Sequence, residues 1–194
     1  NAHGHPGFQR GTTYTRDNYN RETILADLNR ALYFGVSTVM SQGIEIGEVM
    51  HEIRAAQAAG QLGGARLLFA GRGIGAPNAG PGAMAYKGIA YEVTTEAQIR
   101  QAVREQAALG VDIIKIDKIF VDAIGTEAHS KAIIETMIDL ARNMKMEIVA
   151  EGVENFDQVT YLRENGIRQA QGFVFAPPLP AASGQRCITA LCRV

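Results

Sequence analysis

Apolar residues fall along this chain in two alternating rhythms. Over residues 21–35 (RETILADLNRALYFG) they return at helical spacing, and Gly35 stops the run as a helix cap would. Residues 36–41 (VSTVMS) are short, apolar and rich in β-branched side chains, which predicts a buried strand. The alternation continues with a helix over 44–60, a strand over 65–70 (ARLLFA), and a helix opened by a capping box at Thr95 and Gln98 and running to Leu109. A strand over 111–117, a helix near 127–145, a strand over 147–151 (EIVAE), a helix near 156–165 ending at Gly166 and a strand over 170–175 follow. Residues 1–4 add the stub of a first strand. The stretch 71–92 is dense in Gly, Pro and Asn and reads as a long loop with no regular element.

Continuous apolar strands separated by helices predict parallel strands covered by those helices, with right-handed crossovers. The expected class is therefore α/β, an incomplete or rebuilt (β/α) TIM-barrel-like parallel sheet. It has about six strands where a closed barrel has eight. One domain over 1–194, with a tail at 184–194, suits the length of 194 residues. A sheet left short has open edges, and open edges pair with other chains, so a homo-oligomer is expected.

Composition narrows the partners. The net charge of −1 favours neither nucleic acid nor an acidic membrane surface. No apolar run reaches the length of a membrane span, and no basic stretch followed by an apolar core opens the chain, so a cytoplasmic location is the expectation. Cys187 and Cys192 fit no disulfide framework or metal knuckle and read as reduced thiols.

Candidate chemistry sits at the strand ends. His3 and His5 lie two apart on the stub, where both imidazoles can reach one metal ion. Lys115 interrupts the apolar strand of "GVDIIKIDKIFVD". Taken in order, "NAHGHPG", "RALYFGVSTVMSQG", the Gly-rich loop and "EAQIRQAVREQAALGVDIIKI" resemble the amidohydrolase superfamily, its imidazolonepropionase- and prolidase-like members in particular, over residues 1–117. The resemblance implies metal on His3 and His5, zinc being the natural ion, and a carboxylated Lys115 bridging two metals that activate a hydroxide. The family's further histidines have no counterpart, since His51 and His129 fall in helices.

From residue 111 the text changes. "VDIIKIDKIFVD", "EIVAEGVEN" and "QGFVFAPPLP" resemble the last three strands of the EAL domain, a cyclic di-GMP phosphodiesterase, over residues 111–183. That resemblance implies active-site positions at Lys115, Glu151 and Gln171, with Asp117 and Glu154 beside them. For Asp117 a local hydrogen bond, and for Glu154 a helix cap shared with Asn155, are the preferred readings. The EAL signature and the residues that supply most metal ligands in that family do not occur.

The sequence thus reads as a hybrid of two barrel fragments sharing the Lys115 strand. Three functions are weighed. The first is a scaffold without a complete parental site and without evolved catalytic activity. The second is a metal-dependent hydrolase with Lys115 and Glu151 as catalytic groups and zinc on His3 and His5. The third is a module that binds a small phosphate, amide or cyclic-dinucleotide ligand through the Gly-rich loop, Lys115, Asp117 and Gln171. Under the first, no cofactor is needed.

Overall fold

In the computed structural model, residues 3–75, 77, 88–124 and 128–176 are described. The chain opens with a small hairpin, β1 (Gln9–Arg10) and β2 (Thr13–Tyr14). Then come α1 (Arg21–Tyr33), β3 (Thr38–Ser41), α2 (Val49–Ala58) and β4 (Arg66–Phe69). Two short strands follow, β5 (Ile74–Gly75) and β6 (Tyr91–Glu92). The rear part consists of α3 (Glu96–Ala108), β7 (Ile113–Ile116), α4 (Lys118–Asp122), α5 (Ala128–Asn143), β8 (Glu147–Glu151), α6 (Phe156–Glu164) and β9 (Gln169–Gln171).

The helices begin where the sequence supplies caps. Asn20 accepts from the Thr23 amide at the start of α1. Thr95 with Gln98, and Asn155 with Gln158, complete capping boxes on α3 and α6. Gly35, Gly110 and Gly166 follow helices with positive φ, the backbone that ends a helix.

The described fold is α/β with parallel strand pairs. β3 and β4 pair in register from Thr38↔Arg66 to Ser41↔Phe69, and β7, β8 and β9 form a three-stranded parallel sheet. Gly4 flanks β3, donating to Met40 O at 2.9 Å and accepting from Gln42 N at 3.2 Å. Asp112 ties β4 to the strand that follows: its amide donates to Phe69 O at 2.9 Å, and its carboxylate accepts from Phe69 N at 3.0 Å. Among the described residues the ladders remain small separate sheets and do not close into a barrel.

One buried cluster draws on both ends of the chain, from Ile24, Leu28 and Phe69 to Ile114, Ile134, Ala150 and Leu162. It fills the space between strands and helices. The opposite strand face carries a smaller cluster of Ala70, Ile113 and Val149 with Met40 beside it. Side chains two apart on a strand share a face, so Lys115 and Glu151 continue this second cluster toward the strand ends. Among the described residues no helix is long and apolar enough to cross a membrane.

Three expectations are corrected. The helix predicted over 44–60 begins at Val49, because Gly43 and Gly47 take φ of +92° and +64° and turn the chain before it. The stretch 71–92 is not wholly irregular, since β5 and β6 pair in parallel. The strand predicted over 170–175 ends at Gln171, where the chain turns back on Val153. Residues 78–87 of the Gly-rich loop, Cys187, Cys192 and the tail 184–194 lie outside the described residues.

Gly172 is fixed by that turn. A Cβ there would overlap the backbone of Val153, whose amide donates to Gln171 O at 3.0 Å. Gly172→Ala is expected to cost about 2 kcal/mol of stability, from overpacking that the backbone cannot relax. Urea unfolding at neutral pH measures it.

Candidate functional site

Four side chains from three strand ends converge. Lys115 Nζ lies 2.6 Å from Glu151 Oε2, with side-chain exposures of only 10% and 14%. His3 Nδ1 contacts the other oxygen, Glu151 Oε1, closely but without the alignment of a directed hydrogen bond. His3 Nε2 and His5 Nε2 are 3.0 Å apart, and their rings meet edge to face with centroids at 4.9 Å. The pairing of Gly4 with β3 sets the two histidines on this face.

The electrostatics follow from burial and proximity. Burial raises the Glu151 carboxyl, but the His3 contact and Lys115 outweigh it and hold it below the ordinary carboxylate value. Burial, then His3 and Lys115, press His5 down to about 4, with Glu151 opposing, so its ring is neutral at physiological pH. Its Nδ1 is buried without a hydrogen-bond partner.

The other sequence-predicted residues have different side-chain partners, although Asp117 feels the charges of Lys115 and Glu151 and Gln171 is the ladder neighbour of Glu151. Asp117 caps α4, its Oδ1 accepting from Ile119 N at 3.2 Å, and burial raises its carboxyl. Gln171 stands at the exposed end of β9. Glu154 pairs with Lys118 at 2.9 Å, while Asn155, boxed with Gln158, caps α6. His51 lies on α2 with its ring edge-on to Phe69 at 4.7 Å, and the side chain of His129 is outside the described residues.

Sequence reading missed Glu45. It is buried at 4% exposure, and its Oε2 accepts from Gly43 N at 3.0 Å. Burial pushes its carboxyl up to about 7, against the pull of Ser41, the Gly43 and Glu45 amides and Lys115. The signal for it was the pair of glycines in "QGIEIG", which are poor company for a helix start.

The fit of a metal centre rests on these contacts. A bridging carboxylated lysine needs a free amine, yet Lys115 Nζ is spent on Glu151. Glu151 is in contact on both oxygens, which leaves imidazole nitrogens of His3 and His5 alone as donors. Among the described residues no group of three His, Cys, Asp or Glu is arranged to hold a metal ion. The two-metal centre of an amidohydrolase therefore does not fit.

Comparison with known proteins gives a sequence match to the rear of the chain and structural matches to most of it. Residues 93–178 match the EAL domain family, so the match begins upstream of 111 and takes in α3. Cyclic di-GMP phosphodiesterase PdeR of Escherichia coli is 35% identical over 80 residues, which cover 41% of this chain and 12% of PdeR. The chain thus spans a small fraction of the curated relatives it matches. Among solved structures, molinate hydrolase aligns with a TM-score of 0.62 at 22% identity, covering 88% of this chain and 43% of that one. The EAL domain of Mycobacterium smegmatis DcpA aligns with a TM-score of 0.56 at 20% identity, covering 90% of this chain and 67% of that one. The rear part is therefore related in sequence to cyclic di-GMP phosphodiesterases, and the fold is shared with molinate hydrolase and with the EAL domain of DcpA.

Proposed function

We propose that the chain is a hybrid (β/α)-barrel scaffold, an incomplete barrel of about six strands, in which an internal ion-pair cluster stands where its relatives carry a hydrolytic centre. The observation that carries this reading is Glu151, whose two oxygens are taken by His3 and Lys115. A carboxylate paired with Lys115 on one oxygen and crowded by His3 on the other is poorly placed to ligate a metal or to accept a proton from water. The amidohydrolase-like front over 1–117 and the rear that matches the EAL domain over 93–178 overlap on the Lys115 strand, and the common buried cluster supports reading 1–194 as one body.

Two assays test it. Protein stripped with chelator and dialysed against micromolar zinc should retain well under one equivalent. It should also turn over neither cyclic di-GMP nor N-acyl amides above background with zinc, manganese or magnesium. One equivalent of zinc lost in His3→Ala and His5→Ala, together with turnover lost in the same variants, would establish the metal-dependent hydrolase instead.

A second reading, a cyclic-dinucleotide-binding module, is favoured by the EAL match over 93–178. It requires Lys115 to leave Glu151 for a phosphate. Calorimetry with cyclic di-GMP that shows saturable heat, abolished in Lys115→Met, would establish it.

Among the described residues β9 pairs only with β8, and this edge supports the expected self-association. All three of its residues are exposed, and Phe173 and Phe175 beyond it are 66% and 42% exposed. Light scattering across a wide concentration range decides between oligomer and monomer.

A further inference from the structure

Beside the ion-pair cluster lies a separate cavity of about 340 Å³, lined by Glu45, Glu48, His51, Arg72, Tyr91 and Gln106 among others. Two of these residues bring buried oxygens that lack a donor. Glu45 Oε1 has no hydrogen-bond partner, although Oε2 accepts from Gly43 N. Gln106 is 1% exposed; its amide nitrogen donates to Arg72 O, and its Oε1 has no partner. The absence of a side chain at Gly71 leaves that Oε1 its room, since a Cβ there would overlap it. Unpaired buried acceptors are costly and rare in native interiors, and here two line one cavity.

The walls add shape and charge. Arg72 stacks over Tyr91 with its guanidinium carbon 4.0 Å from the ring centroid. Its Nε and Nη2 are turned to Ile89 O at 2.5 Å and Ala90 O at 3.2 Å. Its charge is thus directed at backbone carbonyls. Arg16 and Glu48 stand exposed among the lining residues and offset one another. Among these lining residues, Glu45 Oε1 and Gln106 Oε1 are the buried oxygens left without a donor.

We propose that this cavity is a binding site for a small planar organic cation of the amidinium or guanidinium class, whose forked N–H groups would pair with Glu45 Oε1 and Gln106 Oε1. The fork matches a carboxylate's geometry, and a planar group of that kind fits a pocket of this volume walled by a stacked Arg–Tyr pair. The site is independent of any metal chemistry at the mouth.

Ionisation gives the proposal a signature. Glu45 titrates at about 7, so a cation that needs its carboxylate competes with a proton. Of the groups that face it from the neighbouring elements, burial holds His51 below its ordinary value and Tyr19 above its own.

Calorimetry with benzamidine is the test. The affinity should rise about tenfold from pH 6 to pH 8, following the ionised fraction of Glu45. Uncharged benzamide should bind at least tenfold more weakly at pH 8, and Glu45→Gln should lose both the affinity and its pH dependence. Should that variant fail to fold, carbon-13 NMR of the side-chain carboxyls in the unaltered protein serves instead: benzamidine should move the Glu45 titration to lower pH. Absence of saturable binding at either pH, pH-independent affinity, or equal binding of benzamide overturns the proposal. The first of these results would leave the two acceptors to buried water.

Discussion

Glu151→Gln should lower the stability at pH 7 by about 3 kcal/mol, the characteristic loss when one member of a buried ion pair is removed and its partner stays charged. The glutamine keeps the volume and one oxygen but deprives the Lys115 ammonium, only 10% exposed, of the carboxylate 2.6 Å away. The size of the effect belongs to the stranded lysine rather than to the attraction itself. The double variant Lys115→Met, Glu151→Leu should therefore recover most of the loss, and a double-mutant cycle by urea unfolding isolates the coupling. The pH dependence has a definite sign. The folded carboxyl of Glu151 sits below its unfolded value, so its contribution is complete above that unfolded value and fades as pH falls through the folded one. In Glu151→Gln this acid-side loss should be missing.

Glu45→Gln should act the other way, raising the stability at pH 8 by about 3 kcal/mol. The folded carboxyl titrates at about 7 against an ordinary 4.5, so burial penalises its charged form. Stability is thereby lost as pH rises from the unfolded value through the folded one, and the whole penalty is present at pH 8. Glutamine keeps an acceptor for the Gly43 amide and carries no charge to bury. His5 has the opposite slope: its ring titrates at about 4 against 6.5, so stability falls as pH drops through that window. Between 4.5 and 6.5 the two slopes oppose each other. Unfolding midpoints of the parent should be nearly flat there, and Glu45→Gln should expose the His5 slope. A destabilising carboxylate lining a cavity is the pattern expected of a site held for binding rather than for stability.

Much of the fold is legible in the sequence because its signals are local. Helix ends at Asn20, Thr95 and Asn155 are written in single side chains that cap the backbone. The strands around Leu67, Ile114 and Ile148 are written in apolar runs between glycine stops. Lys115 and Glu151 can be placed on strand ends for the same reason. The cluster they form is less legible, because it depends on how Gly4 flanks β3, a pairing between distant segments that no local pattern encodes. Glu45 is hidden for a different reason. Its neighbours are apolar at helical spacing, and only the backbone turn at Gly43 and Gly47 sends its carboxylate inward. The short helix α4 and the pairing of β5 with β6 also escape, since five and two residues are too few to show a period.

The most direct test concerns the state of Lys115. Protein equilibrated with carbon-13 bicarbonate and zinc at mildly alkaline pH should show no lysine carbamate resonance by carbon-13 NMR, because Nζ is bound to Glu151. A carbamate signal that disappears in Lys115→Met would contradict the account, since it would mean that this lysine carries the bridging ligand of a working metal centre.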